Sequence, residues 1–513
     1  MIPVIDLFAG PGGLNEGFSS VGESDKNPVF HTVASFEMDE FAHQTLLLRH
    51  IFRAMMRGSG VTSSYYDFIN GSIEWGEFVG HPAVAPLLSE AQQAIHKIEL
   101  GPENRTEADN LIRAALLGAR SHSNGHWVLI GGPPCQAYSL AGRSRRVNDT
   151  EFANDKKHFL YREYLHIIEN FAPSIFVMEN VKGLLSSTHA GTRMFDLILN
   201  DLSHPKDGLE YEIRSLVVPG SPEELDPKDF IVRAEDYGVP QRRHRVILVG
   251  VRSDLLERAT TRVLVPEPQV TVRDAIADLP KIRSAIAPPR DDSNSGWNAA
   301  RSQMYGVVRQ TDTVRRPLGR PRQLGTGGIH IDSYVRTRGT STFSGWIDDP
   351  SLPGITLHEA RRHMRTDLLR YGYLACRALN LKKNPTMLDL PDQLQPAHKN
   401  IGTADTPFTD RFRVQLWDTP ATTIVSHIAK DGHYYIHPDP EQMRSLTVRE
   451  AARLQSFPDN YFFRGTRTQQ YSQVGNAVPP LLASKIGTIV AELLAGIDRD
   501  DDEQVEMRNT EFR

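Results

Sequence analysis

Cys135 is the residue of this sequence best suited to covalent chemistry. It follows an apolar run in VLIGGPPCQAYS, residues 128–139, and the chain has one other cysteine, Cys376. Two prolines directly before Cys135 fix the backbone and remove amide donors, so the thiol is held on a stiff corner. A thiol on a stiff corner at the end of a buried strand suits a nucleophile. Cys376 lies in the apolar stretch YGYLACRALN, which is typical of a small buried side chain.

Three further polar side chains lie near predicted strand ends and could serve such a thiolate. Glu179 ends the apolar strand in VMENVKGLL, and Arg243 and Arg245 precede the strand in GVPQRRHRVILVG. The two arginines are two residues apart, so they share one face of an extended chain. A nucleophilic thiolate requires an electrophile and a group that manages protons, and Glu179 can be that group.

A glycine-rich turn, DLFAGPGG at residues 6–13, follows the first predicted strand and precedes a helix. In a doubly wound sheet such a turn lets a ligand approach the backbone, and an acid ending the second strand can hold a ribose diol. Glu37 occupies that second position. Asn15 stands where a dinucleotide-binding turn has its third glycine, which disfavours a nicotinamide cofactor. The turn by itself leaves open whether any ligand binds.

The elements that must position these residues alternate between strands and helices. PVIDLF and HTVASF are short apolar strands, each followed by a helix, and HWVLIGG, SIFVMEN and RVILVGVR are further strands. This alternation predicts an α/β fold with a doubly wound, Rossmann-like parallel sheet and the functional residues at its carboxyl edge. Helical spacing before the third of these strands predicts a helical insertion, carried by Leu87, Leu88, Ala91, Ile95 and Ile98.

The sequence divides into four predicted parts. Residues 1–264 form a catalytic domain that includes the helical insertion at about 50–127. Residues 265–430 are rich in proline, glycine and arginine and form a smaller, loop-rich domain. Residues 431–497 return to the catalytic domain, and the acidic tail 498–513 is predicted to be disordered.

Composition indicates an intracellular globular protein with a basic surface. The 513 residues carry a net charge of −5, but Arg301 to Arg377 contains 13 arginines, no lysine and 6 acidic residues, which is compatible with phosphate contacts. Two cysteines exclude a disulfide framework, and no apolar run approaches the roughly 20 residues of a membrane span. The start MIPVIDLFAG lacks the features of a secretion signal, so we expect a cytoplasmic protein without a membrane partner.

Seven stretches together resemble the cytosine-5 DNA methyltransferases, in the motif order of that family and over most of the chain. The resemblance implies transfer of a methyl group from S-adenosyl-L-methionine, which leaves as S-adenosyl-L-homocysteine, to C5 of a cytosine flipped out of double-stranded DNA, without a metal. The matching stretches are DLFAGPGGLNEGF, FEMDEFA, GGPPCQAYSLAGRSRR, FVMENVKGLL, GVPQRRHRVILVG, RSLTVREAARLQSFPDNY and QVGNAVPPLLA.

The resemblance also implies a role for individual residues. Cys135 is expected to attack cytosine C6, Glu179 to contact N3 and the exocyclic amine, and Arg243 and Arg245 to support the neighbouring loop and the ring O2. The residues implied for the cofactor pocket are Asp6, Phe8, Gly10, Gly12, Gly13, Glu37, Met38, Ser72 and Asn476. Those implied for DNA are Gln136, Ser139 and Arg143 after the cysteine, and Arg315, Arg316, Arg320 and Arg322 in the variable region.

Ser72 departs from the family pattern, which usually has an acid near the adenine after the third strand. The nearest match here is NGSI, with Ser72 at the position of the acid. Either Ser72 contacts the adenine, or the helical insertion displaces that element.

Two alternative functions remain on the sequence alone. A tRNA cytosine-5 methyltransferase could share the fold but would not need so large a recognition region. A catalytically silent DNA-binding regulatory module would have lost the cysteine, the glutamate or the glycine turn, and all three are present. The family's usual setting is microbial restriction–modification or related defence, so we expect a monomer and a cognate endonuclease or defence proteins that act separately.

Overall fold

The computed structural model of the protein describes most of its 513 residues. The residues outside the description are 23–26, 59, 120–123, 135–159, 190–191, 259–261, 312–322, 333, 335–340, 397–409 and 512–513, together with the side chains of 189, 192, 257, 258 and 498–511.

The amino-terminal half alternates strands and helices, as the apolar runs of the sequence predict. Its elements in chain order are β1 (Ile2–Leu7), α1 (Gly13–Ser19), β2 (Phe30–Glu37), α2 (Glu40–Arg57), α3 (Ser63–Ile69), α4 (Trp75–Gly80), α5 (Ala85–Ala94), β3 (Ile95–Lys97), α6 (Arg105–Ala119), β4 (Val128–Gly131), α7 (Leu160–Phe171), β5 (Ile175–Val181), β6 (Thr188–His189), β7 (Thr192–Arg193), α8 (Met194–Ser203), β8 (Tyr211–Arg214), β9 (Ile231–Arg233), β10 (Gln241–Arg242) and β11 (His244–Arg252).

The carboxy-terminal half has shorter strands and several long helices. Its elements are α9 (Val272–Ile276), β12 (Ala285–Ala287), α10 (Asn294–Gln310), β13 (Gly327–Ile331), α11 (Thr342–Ile347), β14 (Ile355–Glu359), β15 (Arg362–Met364), α12 (Arg365–Leu381), β16 (Ala421–Thr422), α13 (Val448–Leu454), α14 (Arg467–Asn476) and α15 (Pro480–Glu511). The segment predicted to be loop-rich therefore contains two helices of 17 residues, α10 and α12.

A mixed sheet of eight strands forms the centre of residues 1–264, which the sequence predicts to be catalytic and which are called the catalytic part. Its order is β3-β2-β1-β4-β5-β11-β8, with β9 also paired to β11. The pairs from β3 to β5 are parallel, as predicted, but β11 is antiparallel to β5, β8 and β9. The chain passes from β9 to β11 without an α-helix that could return it to the opposite end of the sheet, so these strands pair antiparallel.

Helices cover both faces of this sheet. Val4, Ile130 and Val177 belong to a buried cluster that includes residues of α1 and α15, whereas Ile5 and Leu129 face a second cluster with residues of α6, α7 and α8. The strands are apolar on both faces, which is typical of a sheet buried between two helical layers.

The region between α2 and β4 contains a strand that the sequence analysis assigned to a helix. Ile95 and Ile98 fit helical spacing, but α5 ends at Ala94 and Ile95–Lys97 forms β3, the edge strand beside β2. Pairing with the otherwise free edge of β2 outweighs the helical spacing here, and β-branched Ile95 is well suited to a strand.

The segment 265–430 is not a single separate unit in its packing. Helices α10 and α12 form their own core with Trp297, Met304 and Tyr371, whereas Val272 and Ile355 pack into the core of the catalytic part. The segment 265–430 is thus built partly on the core around the central sheet.

The last helix is longer than the sequence analysis predicts. Leu482, Ile486, Ile489 and Leu493 are buried along one face, as their spacing indicates. The helix continues to Glu511 through the acidic tail for which disorder was expected, and no proline or glycine follows Gly496 to end it.

One described segment passes a length and hydropathy test for a membrane span. It is Arg467–Ile497, which spans α14 and part of α15, and its most apolar 18-residue window has a mean hydropathy of 1.5. Because 61% of its most apolar window is buried inside the protein, the segment has the character of a core helix.

Buried arginines on α13 join the segment 265–430 to the rest of the protein. The helix begins with the capping box of Thr447 and Glu450 that the sequence indicates. Arg453 donates to Asp459 at 2.7 and 2.8 Å and to Asp278 at 2.7 Å, and it is nearly inaccessible to solvent. Arg449, also buried, donates to the carbonyl and the hydroxyl of Thr356.

Replacing Arg453 with methionine should destabilise the protein strongly. The side chains have similar length, but the substitution removes the closest cation from the buried carboxylate of Asp459 and one donor from Asp278, at a cost of about 3–5 kcal/mol in the free energy of unfolding. Urea denaturation followed by circular dichroism measures this loss. The control is Arg193→Met, because Arg193 is 58% exposed in its pair with Asp196 and should cost less than about 1 kcal/mol. Equal effects of the two substitutions would contradict this role of Arg453.

Candidate active site

Four chain segments reach the same level at the carboxyl edge of the sheet. The register pairs Leu7 with Phe36 on one side and with Gly131 on the other, and it pairs Gly131 with Met178. The residues that come next in the four segments are therefore neighbours across the edge. These residues are Phe8, Glu37, Gly132 and Glu179.

The glycine turn after β1 has one open position. Phe8 and Gly10 both have φ of +56°, a backbone conformation that glycine adopts easily and phenylalanine rarely. A Cβ at Gly10 would meet no atom within 4 Å, so space adjoins the backbone there. At Gly12 a Cβ would lie 2.7 Å from Leu46, and at Gly13 it would lie 2.1 Å from the carbonyl oxygen of Val478. Gly10 thus leaves room for a ligand, whereas Gly12 and Gly13 allow close packing.

Glu37 joins the end of β2 to this turn. Its carboxylate accepts hydrogen bonds of 2.7 Å from the amides of Gly10 and Asp39. Burial raises the pKa of Glu37 above its ordinary value, and the two amides oppose that shift. The neighbouring Met38 side chain is largely exposed. The carboxylate is therefore held in place beside the open position at Gly10.

Asp6 lies on β1, two residues before Phe8, and is a buried acid. Neither of its carboxylate oxygens has a hydrogen-bond partner among the described residues, and its side chain is inaccessible to solvent. Burial, and then the charge of Glu37, raise the pKa of Asp6 well above its ordinary value. Unpaired buried carboxyl groups are rare in proteins. Glu37 and the open space at Gly10 fit a ligand that carries hydrogen-bond donors, whereas Asp6 has no accessible surface through which to meet one.

Glu179 and Arg245 form an ion pair at the other side of the edge. The distance from Arg245 Nε to Glu179 Oε1 is 2.7 Å, and both side chains are mostly buried. A Cβ at Gly132 would lie 3.2 Å from Glu179 Oε2, so the GGPPC stretch begins directly against this carboxylate. Cys135 comes three residues later and lies outside the described residues, as do Gln136, Ser139 and Arg143.

Arg243 has different partners from Arg245, although the sequence spacing suggested a common face. Its Nη1 donates to the carbonyl oxygens of Ile424 at 3.0 Å and Gly475 at 3.2 Å. Burial, followed by the charge of Arg245, lowers the pKa of Arg243 to about 9. Arg243 lies between β10 and β11, where the chain is not in regular strand pairing. It anchors the segment that ends in Asn476, the exposed last residue of α14.

Ser72 lies away from the strand edge, in the turn between α3 and α4. It is exposed, and its amide donates to Asn70 Oδ1 at 2.9 Å. The strand that follows β2 in the sheet is β3, and the amide of Ile98 just after it donates to the carbonyl oxygen of Glu37 at 3.1 Å. Of the two alternatives for this element, the structure favours displacement by the insertion. The alternating stretch IHKIEL, residues 95–100, was the sequence signal for it.

The remaining predictions concern the arginine-rich segment, the absence of a metal and Cys376. Arg315, Arg316, Arg320 and Arg322 lie outside the described residues. Across the described ranges, histidine, cysteine and acidic side chains form no group of three or more that could hold a metal ion. Cys376 is buried, as its apolar surroundings indicate.

Comparison with known proteins identifies the family. The family model for C-5 cytosine-specific DNA methylase matches residues 120–492. The type II methyltransferase M.Bpa9945I of Bacillus paralicheniformis is 32% identical over 519 residues, which cover 96% of this chain and 99% of that protein. The type II methyltransferase M.AgeI of Thalassovita gelatinovora is 29% identical over 69% of this chain and 80% of its own length.

A solved structure supports the fold. A protein described as a DNA modification methyltransferase encoded within an E. coli prophage superposes with a TM-score of 0.53 and 20% identity, over 96% of this chain and all of that one. Its likeness extends to the arrangement of the sheet and helices. With the family match covering most of the sequence, the chain belongs to the C-5 cytosine-specific DNA methylase family and is an S-adenosylmethionine-dependent enzyme that methylates DNA.

Proposed function

We propose that Cys135 and Glu179 carry out methyl transfer to C5 of a cytosine that is flipped out of a specific duplex sequence. The observation that carries this proposal is the alignment of Phe8, Glu37, Gly132 and Glu179 across four neighbouring strands. It places the start of the GGPPC stretch between the cofactor turn and a paired glutamate. Cys135 follows Gly132 by three residues, so its thiol would act between the glycine turn and Glu179.

The chemistry requires a nucleophile because C5 of cytosine is itself a poor one. Addition of the Cys135 thiolate to C6 forms a C–S bond and moves the ring electrons toward N3, where Glu179 would supply a proton. The ring is then an enamine whose C5 can take a methyl group. Loss of the C5 proton releases the thiolate and restores the aromatic ring. S-adenosylmethionine supplies the electrophilic methyl group when it is bound.

The two arginines contribute in different ways. Arg245 lies 2.7 Å from Glu179, so it would orient that carboxylate and reach the ring O2 from the same side. Arg243 would act by positioning, because its hydrogen bonds go to the backbone at Ile424 and Gly475. It thereby holds the segment of Asn476 beside the cofactor turn.

The cofactor would occupy the edge between β1 and β2. The groups proposed to hold it are the backbone of the glycine turn and the carboxylate of Glu37, with Phe8, Met38 and Asn476 as the walls. Gly12 and Gly13 would shape the turn through packing rather than through contact with the ligand. Ile98 and the residues after it would take the place near the adenine that Ser72 was expected to take.

The biological setting follows the relatives. They are named as type II methyltransferases, so we propose that this enzyme protects DNA in a restriction–modification system, as a cytoplasmic monomer whose cognate endonuclease acts separately. The match to a DNA methylase family favours duplex DNA over tRNA as the substrate. Gln136, Ser139 and Arg143 would cover the flipped base, and the arginine-rich segment would contact the duplex.

Replacing Cys135 with serine should abolish turnover and leave DNA binding intact. A serine hydroxyl is a far weaker nucleophile than a thiolate, so methyl transfer from labelled S-adenosylmethionine should fall by more than about 1,000-fold. Binding to the same duplex in a mobility-shift assay should change little. The control is Cys376→Ala, which should retain activity because Cys376 is a packing residue.

A duplex with 5-fluorocytosine at the target should trap the wild-type protein covalently, and a lack of trapping would contradict attack on C6.

The affinity for S-adenosylmethionine should depend on the protonation of Glu37. Its pKa is raised by burial above 4.5, and only the carboxylate can accept hydrogen bonds at both oxygens. The wild-type affinity should therefore fall as the pH decreases through this raised pKa. Glu37→Gln should bind about 10-fold more weakly at neutral pH and lose this pH dependence. Calorimetric titration over a pH series measures both effects. Glu40→Gln, an exposed neighbour, should match the wild type, and an unchanged pH profile in the Glu37 variant would refute the role.

The arginine-rich segment should contribute charge to DNA binding. Replacing Arg315, Arg316, Arg320 and Arg322 together with alanine should weaken binding and reduce the slope of log affinity against log salt, because fewer counterions are released from the duplex. The matched control replaces the same four residues with lysine, which retains the charge and should retain most of the slope. An alanine variant with an unchanged slope would show that other residues contact the phosphates.

A further inference from the structure

Strand β13 exposes an isoleucine where strand geometry would bury one. Ile331 of β13 packs against the core of the catalytic part. Successive residues of a strand alternate between its faces, so Ile329 should lie on the same buried side as Ile331. Instead, 59% of Ile329 is exposed, among the highest values of the large apolar residues described.

The cause lies in the partner strand. The ladder between β13 and β14 pairs Gly328 with His358 and His330 with Thr356, and it omits Ile329 and Leu357 between them. Leu357 has φ of +59°, a left-handed conformation that is unusual for leucine, although its side chain is buried. Irregularities of this kind redirect side chains and recur at binding sites. The exposure of Ile329 is thus built into the pairing of the two strands.

The ribbon of β13 and β14 is held firmly on the catalytic part. Arg449 donates to Thr356 at 2.9 and 3.1 Å, and the ring of His358 contacts the Thr447 hydroxyl at 3.0 Å and the Pro280 carbonyl at 2.8 Å. Arg449, Thr356 and His358 are inaccessible to solvent. The inner strand β14 is therefore a fixed support, and the outer strand β13 presents its exposed side chain at a defined place.

The sequence around the ribbon is basic on balance, which favours a polyanion as its partner. Residues 312–340 contain six arginines and two acidic residues, Asp312 and the exposed Asp332, which pairs with His330. The major groove of DNA is wide enough to admit secondary structure, and here the exposed outer strand β13 would face it. Base edges in that groove are polar except for the C5-methyl group of thymine, which apolar side chains recognise.

We propose that β13 enters the major groove of the DNA substrate and that Ile329 packs against the methyl group of a thymine in the recognition sequence. This inference rests on the proposed function for its duplex substrate. It makes Ile329 a specificity-determining residue that discriminates by contact with the methyl group. No hydrogen bond from its side chain is involved.

The test removes each side of this contact in turn. The recognition sequence is first determined by bisulfite sequencing of a random-sequence duplex library treated with the wild-type protein. Each thymine of that sequence is then replaced by uracil, which lacks only the methyl group. At one thymine the wild-type kcat/KM should fall about 10-fold. Ile329→Ala should show a similar loss on the thymine duplex and no further loss with uracil, as a direct contact requires in a double-mutant cycle.

The matched control is Leu388→Ala, which truncates a side chain of similar exposure, 62%, elsewhere in the same region. It should retain the full uracil effect. The inference is overturned if Ile329→Ala keeps the wild-type loss at every thymine, or if the recognition sequence contains no thymine. A wild-type protein that leaves every cytosine of the library unmethylated would refute the proposed function as well, so the two failures are distinguishable.

Discussion

The parallel pairing of β1 with β2 and β4 is the constraint on which the site depends. This pairing fixes Leu7 beside Phe36 and Gly131, and the next pair fixes Met178 beside Gly131. A slip of one residue in any pair would turn the side chains that follow to the opposite face. The glycine turn, Glu37, the GGPPC stretch and Glu179 meet only because these registers hold together.

The carboxy-terminal segments pack against the glycine turn and α1 and so complete the surroundings of the sheet edge. Gly13 is packed so tightly against Val478 that a side chain there would collide with its carbonyl oxygen, and Gly17 is similarly close to Ala483. Arg243 adds hydrogen bonds to the backbone at Gly475. Two glycines of the first turn region are therefore explained by contacts with residues more than 450 positions later in the chain, which no local reading of the turn could reveal.

The sequence predicted the parts of the fold that local patterns determine. Apolar runs gave the central strands, and the Thr447 and Glu450 spacing gave the start of α13. The assignment of Ile95 to a helix was wrong, because the free edge of β2 lies far from Ile95 in sequence and decides its conformation. The antiparallel direction of β11 and the different partners of Arg243 and Arg245 also depend on contacts between distant segments.

The same limit applies to the site. Strand-end positions predicted that Glu37 and Glu179 would meet at one edge, and the registers agree. The lack of a hydrogen-bond partner for Asp6 among the described residues was not predictable. The sequence of an apolar strand does not show which distant side chains pack against an acid within it. The exposure of Ile329 contradicts its strand pattern and depends on the backbone of a single residue, Leu357, in the neighbouring strand.

The contacts of Gly13 with Val478 and of Arg243 with Gly475 have a consequence for synthesis in the cell. A ribosome reaches Gly475 and Val478 long after it has synthesised the glycine turn, so a nascent chain that is still shorter lacks both contacts. Chains cut short before Gly475 should therefore be unable to complete the packing around the first glycine turn.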